Sequence, residues 1–432
     1  MSIMEVSKET RTRIKENLSK IESAKDIFEL FKVLNYPEDI VFDITAKRKK
    51  DSFEFRSDDG QKIKEIYSVL SLENKLHIFL LETTSMAPSF IRSVTTTFDR
   101  QYLNFFLILT VDYSEVVFIF PNREKINRDQ HKLKLIKLIV NRDEIYYTDI
   151  QTLSTLFYEE GTKRRQVWRQ WKAAFNVERV TKNFFDDYKK VFFLLKNELS
   201  NQGILKKQSH EFTLQLLNRV MFVYFISKKE GWLNTKRFMK WLWESYKKQE
   251  KYGDDEFYEI WLKQVFFKAF NNQSNLIINL PSEVKKEVSN FPFLNGGLFT
   301  PNDLDGLEIE ISDELYEKIF KFYEKYNFTI KEDMPLEEEV AVDPQMIGYV
   351  YESLANVAAE IYDRHDLGIF YTPRVEVDFM ARRALIEYLS KNLIDIPKEN
   401  LYHLVFDPPE EKKKITKDFE NKFWRTFEDV LD

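Results

Sequence analysis

The pattern of hydrophobic and polar positions divides this chain into a β-rich part and a helical part. Up to about residue 35, apolar residues recur every three to four positions, which predicts helices. Short apolar runs separated by turn residues then continue to about residue 150 and predict strands. The predicted strands are 40–47, 52–57, 76–84, 104–112, 115–122 and 132–140.

Helical periodicity replaces the strand pattern after about residue 162. The segment Leu214–Ile226 is apolar nearly all round, which predicts a buried helix. Asp343 and Pro344 are typical of the cap and the first residue of a further helix. The pattern therefore predicts an α+β protein, in which an N-terminal α/β domain is followed by a mostly α-helical region. One predicted apolar helix face consists of Val167, Trp168, Trp171 and Phe175.

The composition is that of a globular protein, with 43% hydrophobic and 31% charged residues among 432. A chain of this length is expected to form two or three domains. The absence of cysteine excludes disulfides and thiolate zinc sites, and it fits a cytoplasmic protein. No signal core or membrane-spanning run is present, so we expect no membrane partner. The net charge of −6 still allows nucleic-acid binding, which needs only a local basic stripe.

The segment "LGIFYTPRVEVDFMARRALIEYL" joins a short loop to a helix, with Thr372 as its predicted cap and Pro373 as its first residue. A helix N-terminus offers free N–H donors to a carboxylate or phosphate. Phe370 and Tyr371 could lay an aromatic face against a flat or cationic ligand. The alternative is that these aromatics only staple a capped helix to the core. The helix itself predicts a packed face formed by Val377, Met380, Ala381, Ala384, Leu385, Tyr388 and Leu389.

This segment resembles the opening of the methyltransferase domain in adenine-specific DNA methyltransferases of the type IIG restriction-modification kind. In that family a Gly-x-Tyr-Tyr-Thr-Pro loop contacts S-adenosylmethionine, and Phe370 replaces the first tyrosine here. That cofactor has both a carboxylate and a positive sulfonium. The resemblance implies that the cofactor-binding residues are Gly368, Phe370, Tyr371, Thr372 and Pro373.

Four further stretches, 173–192, 210–233, 291–299 and 343–354, are similar to the same family in the same order. The similarity is clearest over residues 165–390 and looser over 1–160. It implies a nuclease-like α/β domain at 1–160, a helical connector at 161–340 and the start of the methyltransferase domain at 341–432.

Two motifs of the family do not occur in this sequence. The glycine-rich Asp-Pro-Ala-Cys-Gly-Ser-Gly and the catalytic Asn-Pro-Pro-Tyr both follow the Tyr-Thr-Pro segment in the family. We interpret Asp407–Pro409 as a turn, because Glu410 stands where an aromatic residue would stack on a flipped base. We therefore expect the N-terminal part of a larger enzyme, truncated or split, with the rest of the methyltransferase domain supplied in cis or in trans.

The complete enzyme implied by the resemblance transfers a methyl group from S-adenosylmethionine to adenine N6 in double-stranded DNA. It would act in restriction-modification or phage defence, and this chain alone is expected to be inactive. The alternative is a non-catalytic DNA-binding or scaffolding subunit of a restriction or phage-defence complex.

In many relatives the N-terminal domain is a PD-(D/E)xK endonuclease. Its chemistry needs carboxylates on adjacent strands to hold Mg²⁺ and a lysine to steady the attacking water. The candidate carboxylates are Asp43, Glu54, Asp58 and Glu82. Glu82 ends an apolar strand, but Thr84 stands where the lysine belongs, so we favour a degenerate nuclease-like fold. Mg²⁺ is expected only if this domain is active.

The densest basic and aromatic cluster lies at 163–172. Its cations could neutralise DNA phosphates, whereas Trp168 and Trp171 fit packing better than base stacking. A second basic run at 46–50 is either a solvated loop or a further DNA contact. The DNA-binding candidates in the first cluster are Lys163, Arg164, Arg165 and Arg169, with Lys172 beside them.

Overall fold

A mixed β-sheet lies within residues 63–141 and gains one further strand from a later part of the chain. The computed structural model describes residues 6–125, 131–229, 231–294, 296–330, 337–357, 372, 374–393 and 396–406. Contacts divide the chain into two units, Met1–Ile347 and Gly348–Asp432. The three-domain division at 160 and 340 stays a prediction.

The six strands of the sheet follow one another in space in the same order as in the sequence. They are β1 Ile63–Leu72, β2 Leu76–Thr83, β3 Phe105–Thr110, β4 Glu115–Lys125, β5 His131–Asn141 and β6 Glu337–Glu339. β2 pairs with β3, and β5 with β6, in parallel, and the other neighbours are antiparallel. Together with the helices below, this mixed sheet confirms the predicted α+β class.

Helices flank the sheet and form most of the chain that follows it. They are α1 Lys8–Leu18, α2 Ala24–Val33, α3 Ser57–Lys62, α4 Pro88–Gln101, α5 Tyr147–Ser154, α6 Arg164–Ala174, α7 Val177–Asn201, α8 Lys206–Ile226, α9 Phe238–Lys247, α10 Lys263–Phe267, α11 Ser282–Val288, α12 Asp313–Tyr323, α13 Gln345–Val357, α14 Arg374–Asn392 and α15 Lys398–Phe406. A wider helical turn, Phe257–Leu262, runs directly into α10. The predicted cap of α13 is confirmed, since the Gln345 amide donates to Asp343 Oδ1 at 2.9 Å.

The first two predicted strands, 40–47 and 52–57, are not strands of the sheet. Residues 40–47 form only isolated bridges with β1, and helical turns lie on either side of 53–56. The hydrophobic pattern also does not predict β1. Register shifts between Ile63 and Glu65, and again between Ser68 and Leu70, interrupt the two-residue alternation that marks a strand.

Both faces of the sheet are buried under aromatic side chains. On one face, Phe98 of α4 lies 5.0 Å from Phe79 of β2 between ring centroids. On the opposite face, Trp171 of α6 lies 5.0 Å from Phe106 of β3. Every residue of β3 is buried, which explains its continuous apolar sequence, because a strand covered on both sides does not alternate.

The helical part of the first unit is built around α8, which is buried nearly all round, as predicted. Tyr188 of α7 donates to Asn218 of α8 at 3.2 Å, and Tyr323 of α12 donates to the Leu217 carbonyl at 2.8 Å. These bonds pair polar groups that would otherwise be buried alone. In the part of the chain that the structure describes, no helix is both long and apolar enough to cross a membrane.

One buried ion pair holds the loop at 298–305 against α8. Arg219 donates to Asp305 through two nitrogens, at 2.6 and 3.0 Å, and to the Leu298 carbonyl at 2.6 Å. Tyr258 adds a third donor to Asp305, at 2.9 Å. Burial raises the pKa of Asp305 most strongly, but the hydrogen bonds from Arg219, the Asn302 amide and Tyr258, together with the charge of Arg219, outweigh it and hold that pKa below its ordinary value. Leu298 and Asp305 are therefore held to α8 by a charged pair in the core.

In the second unit, α14 and α15 pack through a small cluster of Ile386, Leu389, Leu393 and Leu401. The predicted packed face of α14 is wrong for six of its seven residues. Only Leu389 is buried, and the exposed ones are Val377, Met380, Ala381, Ala384, Leu385 and Tyr388. The reason is that α14 carries apolar residues on two opposite sides. α15 covers the side that contains Ile386, Leu389 and Leu393, and the rest of the predicted side stays exposed.

Replacing Asp305 with asparagine should lower the free energy of unfolding by about 3–5 kcal/mol, because Arg219 would stay buried without its counter-charge. Urea unfolding followed by tryptophan fluorescence would measure it. The matched control is Asp303→Asn at an exposed neighbour, for which we expect a change within about 0.5 kcal/mol.

Because of the same ion pair, the difference in free energy of unfolding between wild type and Asp305→Asn should depend on pH. Because the pKa of Asp305 is depressed, its stabilising contribution is fully present above the unfolded value of about 3.9 and is lost as pH falls through the folded value. An equal loss of stability in Asp303→Asn and Asp305→Asn would contradict this role for the pair.

Candidate functional site

The predicted cofactor loop lies immediately before α14. Gly368, Phe370, Tyr371 and Pro373 lie outside the described residues, while Thr372 is described and exposed. The side chains at 376–380, in the first turns of α14, are exposed as well. The described packing therefore leaves this end of the helix open, where free amide groups could meet a carboxylate.

The sheet register identifies a carboxylate pair that the sequence alone does not reveal. Glu82 of β2 stands opposite Glu65 of β1, and residues opposite each other in an antiparallel pair share one face of the sheet. The Tyr113 hydroxyl donates to Glu82 Oε1 at 2.5 Å. Burial, together with the carboxylate of Glu82, raises the pKa of Tyr113, so this hydroxyl stays protonated. Two carboxylates on adjacent strands therefore lie side by side, one of them bound by a tyrosine.

A lysine also reaches this pair, although it does not come from the position where a nuclease motif would place it. Thr84 occupies that position and is exposed. Lys47 Nζ lies 3.2 Å from Glu65 Oε1. The hydrogen bond to Glu65 raises the pKa of Lys47, and the charge of Glu82 adds to the effect. The bridge between residue 47 and β1 brings this lysine to the sheet.

The other predicted carboxylates lie apart from a metal-binding arrangement. Asp43 is exposed and accepts hydrogen bonds from the Thr45 amide and hydroxyl at 2.8 and 2.5 Å. Glu54 and Asp58 are exposed. Across the described ranges, no three His, Cys, Asp or Glu side chains are grouped as a metal site. Glu65 and Glu82 could still hold Mg²⁺ together with water and a substrate phosphate, since Mg²⁺ in such sites needs only one or two carboxylates.

The predicted basic cluster forms a stripe along the outer side of α6. Arg165, Arg169 and Lys172 follow one another at helical spacing, and all three are exposed, as is Lys163. Arg164 is half-buried and pairs with Glu73 at 3.2 Å. The basic stripe of α6, as we call Lys163, Arg165, Arg169 and Lys172, thus consists of cations on an open surface.

The two indoles of α6 lie on its inner side. Trp171 is fully buried, and its ring nitrogen donates to the Tyr36 hydroxyl at 2.8 Å. The Trp168 ring lies 5.1 Å from that of Phe120 in β4. These contacts are packing against the sheet, and they turn the opposite side of α6 outward.

A cavity of about 710 Å³ lies between the sheet and the helical part of the first unit. Lys228 Nζ donates to the Tyr146 hydroxyl at 2.7 Å and lies 3.5 Å from Glu144. Burial lowers the pKa of Lys228 against the opposing attraction of Glu144. Sequence periodicity does not reveal this group, because its members come from distant segments. Since its charges pair with each other, we interpret it as a tie between the sheet and the helices.

The carboxylate pair should not support DNA cleavage by itself, because Thr84 stands where the lysine of a nuclease belongs and Lys47 is already paired with Glu65. We expect supercoiled plasmid to stay intact when it is incubated with the chain and Mg²⁺, with agarose electrophoresis as the measurement. Nicking by the wild-type chain that is lost in Glu82→Gln and in Glu65→Gln, but kept in the exposed control Asp58→Asn, would contradict this.

Comparison with known proteins gives one informative similarity. Over 197 residues, or 44% of this chain, the sequence is 29% identical to a Methanocaldococcus jannaschii protein named "putative type II restriction enzyme and methyltransferase". The match spans only 16% of the length of that protein. No protein-family model matches the chain, and no solved structure matches it.

Proposed function

We propose that this chain is the N-terminal part of a type IIG restriction-modification enzyme that methylates adenine N6 in double-stranded DNA. The observation that carries the proposal is the similarity to the M. jannaschii protein, whose name combines a restriction enzyme with a methyltransferase. The methyltransferase-like stretches of the sequence, from 173–192 to the Tyr-Thr-Pro loop, agree with it.

The proposed cofactor is S-adenosylmethionine, which supplies the electrophilic methyl group. Thr372 and the open beginning of α14 are the described part of its proposed site. Their contribution would be to bind and orient the amino-acid portion of the cofactor, whose carboxylate suits the free N–H groups of a helix N-terminus. The remaining proposed contacts, Gly368, Phe370, Tyr371 and Pro373, lie outside the described residues.

The proposed DNA contact is the basic stripe of α6. Its side chains are exposed, while the indoles on the other side of the helix anchor it to the sheet. A rigid helix that presents cations at helical spacing can neutralise successive phosphates and place the protein on a duplex without reading its sequence. We expect target recognition to reside elsewhere in the enzyme.

The chain alone is not expected to transfer methyl groups, because its sequence contains neither the glycine-rich motif nor Asn-Pro-Pro-Tyr. The second candidate function is a non-catalytic DNA-binding or scaffolding subunit, which the same basic stripe would serve. The two candidate functions differ in cofactor binding. The methyltransferase part should contact S-adenosylmethionine through Thr372, whereas a scaffolding subunit should not.

Replacing Arg165 and Arg169 together with alanine should weaken binding to duplex DNA of any sequence. Each lost phosphate contact should reduce the slope of log K against log salt by about 1, so the double variant should lose about 2. Fluorescence anisotropy with a labelled 30-base-pair duplex at several salt concentrations would measure both quantities.

The matched control is Lys285→Ala with Lys286→Ala, which removes the same charge from exposed positions on α11. We expect this control to bind as the wild type does. Equal weakening in the two double variants would show that only net charge matters and would contradict a DNA-binding role for α6.

A further inference from the structure

The apolar side of α14 that faces away from α15 forms an exposed stripe. Met380, Leu385 and Tyr388 are 54%, 46% and 56% exposed, and Val377 is 46% exposed. Ala381 and Ala384 lie between them and are exposed as well. At 1.5 Å per residue the stripe extends over about 16 Å of helix. A continuous apolar stripe of this kind marks a surface that another element covers.

The opposite side of α14 packs against α15. Ile386, Leu389 and Leu393 pack with Leu401 of α15, and Arg382 donates to the Val405 carbonyl at 2.5 Å. The Phe406 ring, at the end of α15, lies 6.1 Å from that of Phe379. The chain therefore leaves the described residues from a point beside the middle of α14.

A matching apolar pattern follows directly in the sequence, although residues 407–432 lie outside the described part. Ile415, Phe419, Phe423, Phe427 and Leu431 recur every four positions, with charged residues between them. This spacing is typical of the apolar side of an amphipathic helix. It extends over 17 residues, which is long enough to cover the stripe of α14.

The connection between α15 and this apolar segment is long enough for the segment to reach the exposed stripe of α14. The eight residues 407–414 can span up to about 26–29 Å, whereas an α-helix with its side chains is only about 10–12 Å across. A segment tethered at this distance is present at millimolar effective concentration, so a small contact suffices. A second copy of the chain has no such advantage, and the stripe is short for the roughly 800 Å² that each partner of a stable dimer contributes.

We propose that residues 415–431 dock on the exposed stripe of α14 through their apolar side. This inference does not depend on the proposed enzymatic function. The docked segment would complete the second unit and fix α14 from both sides, and Thr372 lies at the beginning of that helix.

The absence of cysteine from the chain allows a direct test by disulfide cross-linking. Ala384→Cys, in the middle of the stripe, would be combined in the full chain with a cysteine at Phe419, Phe423 or Phe427. Docking should bring at least one of these pairs within the roughly 7 Å between Cα atoms that a disulfide requires. Under mild oxidation it should form an intramolecular bond at least about tenfold faster than the matched pairs with Asn421→Cys or Arg425→Cys.

Cross-linking that is slow in every pair, or equally fast in the matched pairs, would overturn the proposal. Disulfide-linked dimers on a non-reducing gel would overturn it in favour of a second copy. A second measurement uses the single Ala384→Cys variant, in which Phe423→Asp with Phe427→Asp should speed maleimide labelling about tenfold. Unchanged labelling in this full-length variant would also overturn the proposal.

Discussion

The packing of α6 on the sheet is the interaction on which the proposed function of this chain most depends. Trp171 is buried against Phe106 and bonded to Tyr36, and Trp168 lies against Phe120. Because both indoles point inward, the cations on the opposite side of the helix must point outward. These cations are carried by a helix whose inner side belongs to the core, which fixes their spacing.

The helical part of the first unit is tied to the sheet at a second place by strand β6. This strand consists of three glutamates, Glu337–Glu339, and pairs in parallel with β5. Glu337 forms ion pairs with Lys137 and with Arg92, and Glu338 pairs with Lys134. Lys134 and Lys137 are three positions apart in β5 and so lie on opposite faces of the sheet. Their charges are paired by a strand from 200 positions later in the chain. The helix α6, which begins at residue 164, packs on the sheet, and β6, at 337–339, is one of its strands. The helices between them therefore form a part of the chain inserted between two segments that contact the sheet.

Much of this architecture follows from local pattern. The alternation and apolar runs predict β2 to β5, and the wide apolar surface of α8 predicts its burial. What the pattern does not predict depends on pairing between distant segments: β1 with its register shifts, and β6 with its glutamates. The apolar face of α14 shows a different limit, because periodicity identifies apolar sides of a helix but does not say which one its neighbour covers.

The candidate sites also differ in whether local pattern or the pairing of distant segments brings their residues together. The basic stripe was predictable because its residues lie close together in the sequence, at the cap of one helix and along it. Glu65 and Lys47 were not, because only the register of β1 against β2 and the bridge at residue 47 bring them to Glu82. The sequence signal for Lys47 was present in the basic run at 46–50, but its position relative to the sheet was not.

Lysine footprinting in the presence of DNA tests the proposed DNA contact most directly. The full chain would be acetylated with and without a 30-base-pair duplex, and the modification of each lysine would be quantified by mass spectrometry. We predict that the reactivity of Lys163 and Lys172 falls several-fold when DNA binds, while that of Lys285 and Lys286 stays unchanged. Protection that is absent from Lys163 and Lys172, or that is as large at Lys285 and Lys286, would contradict the account.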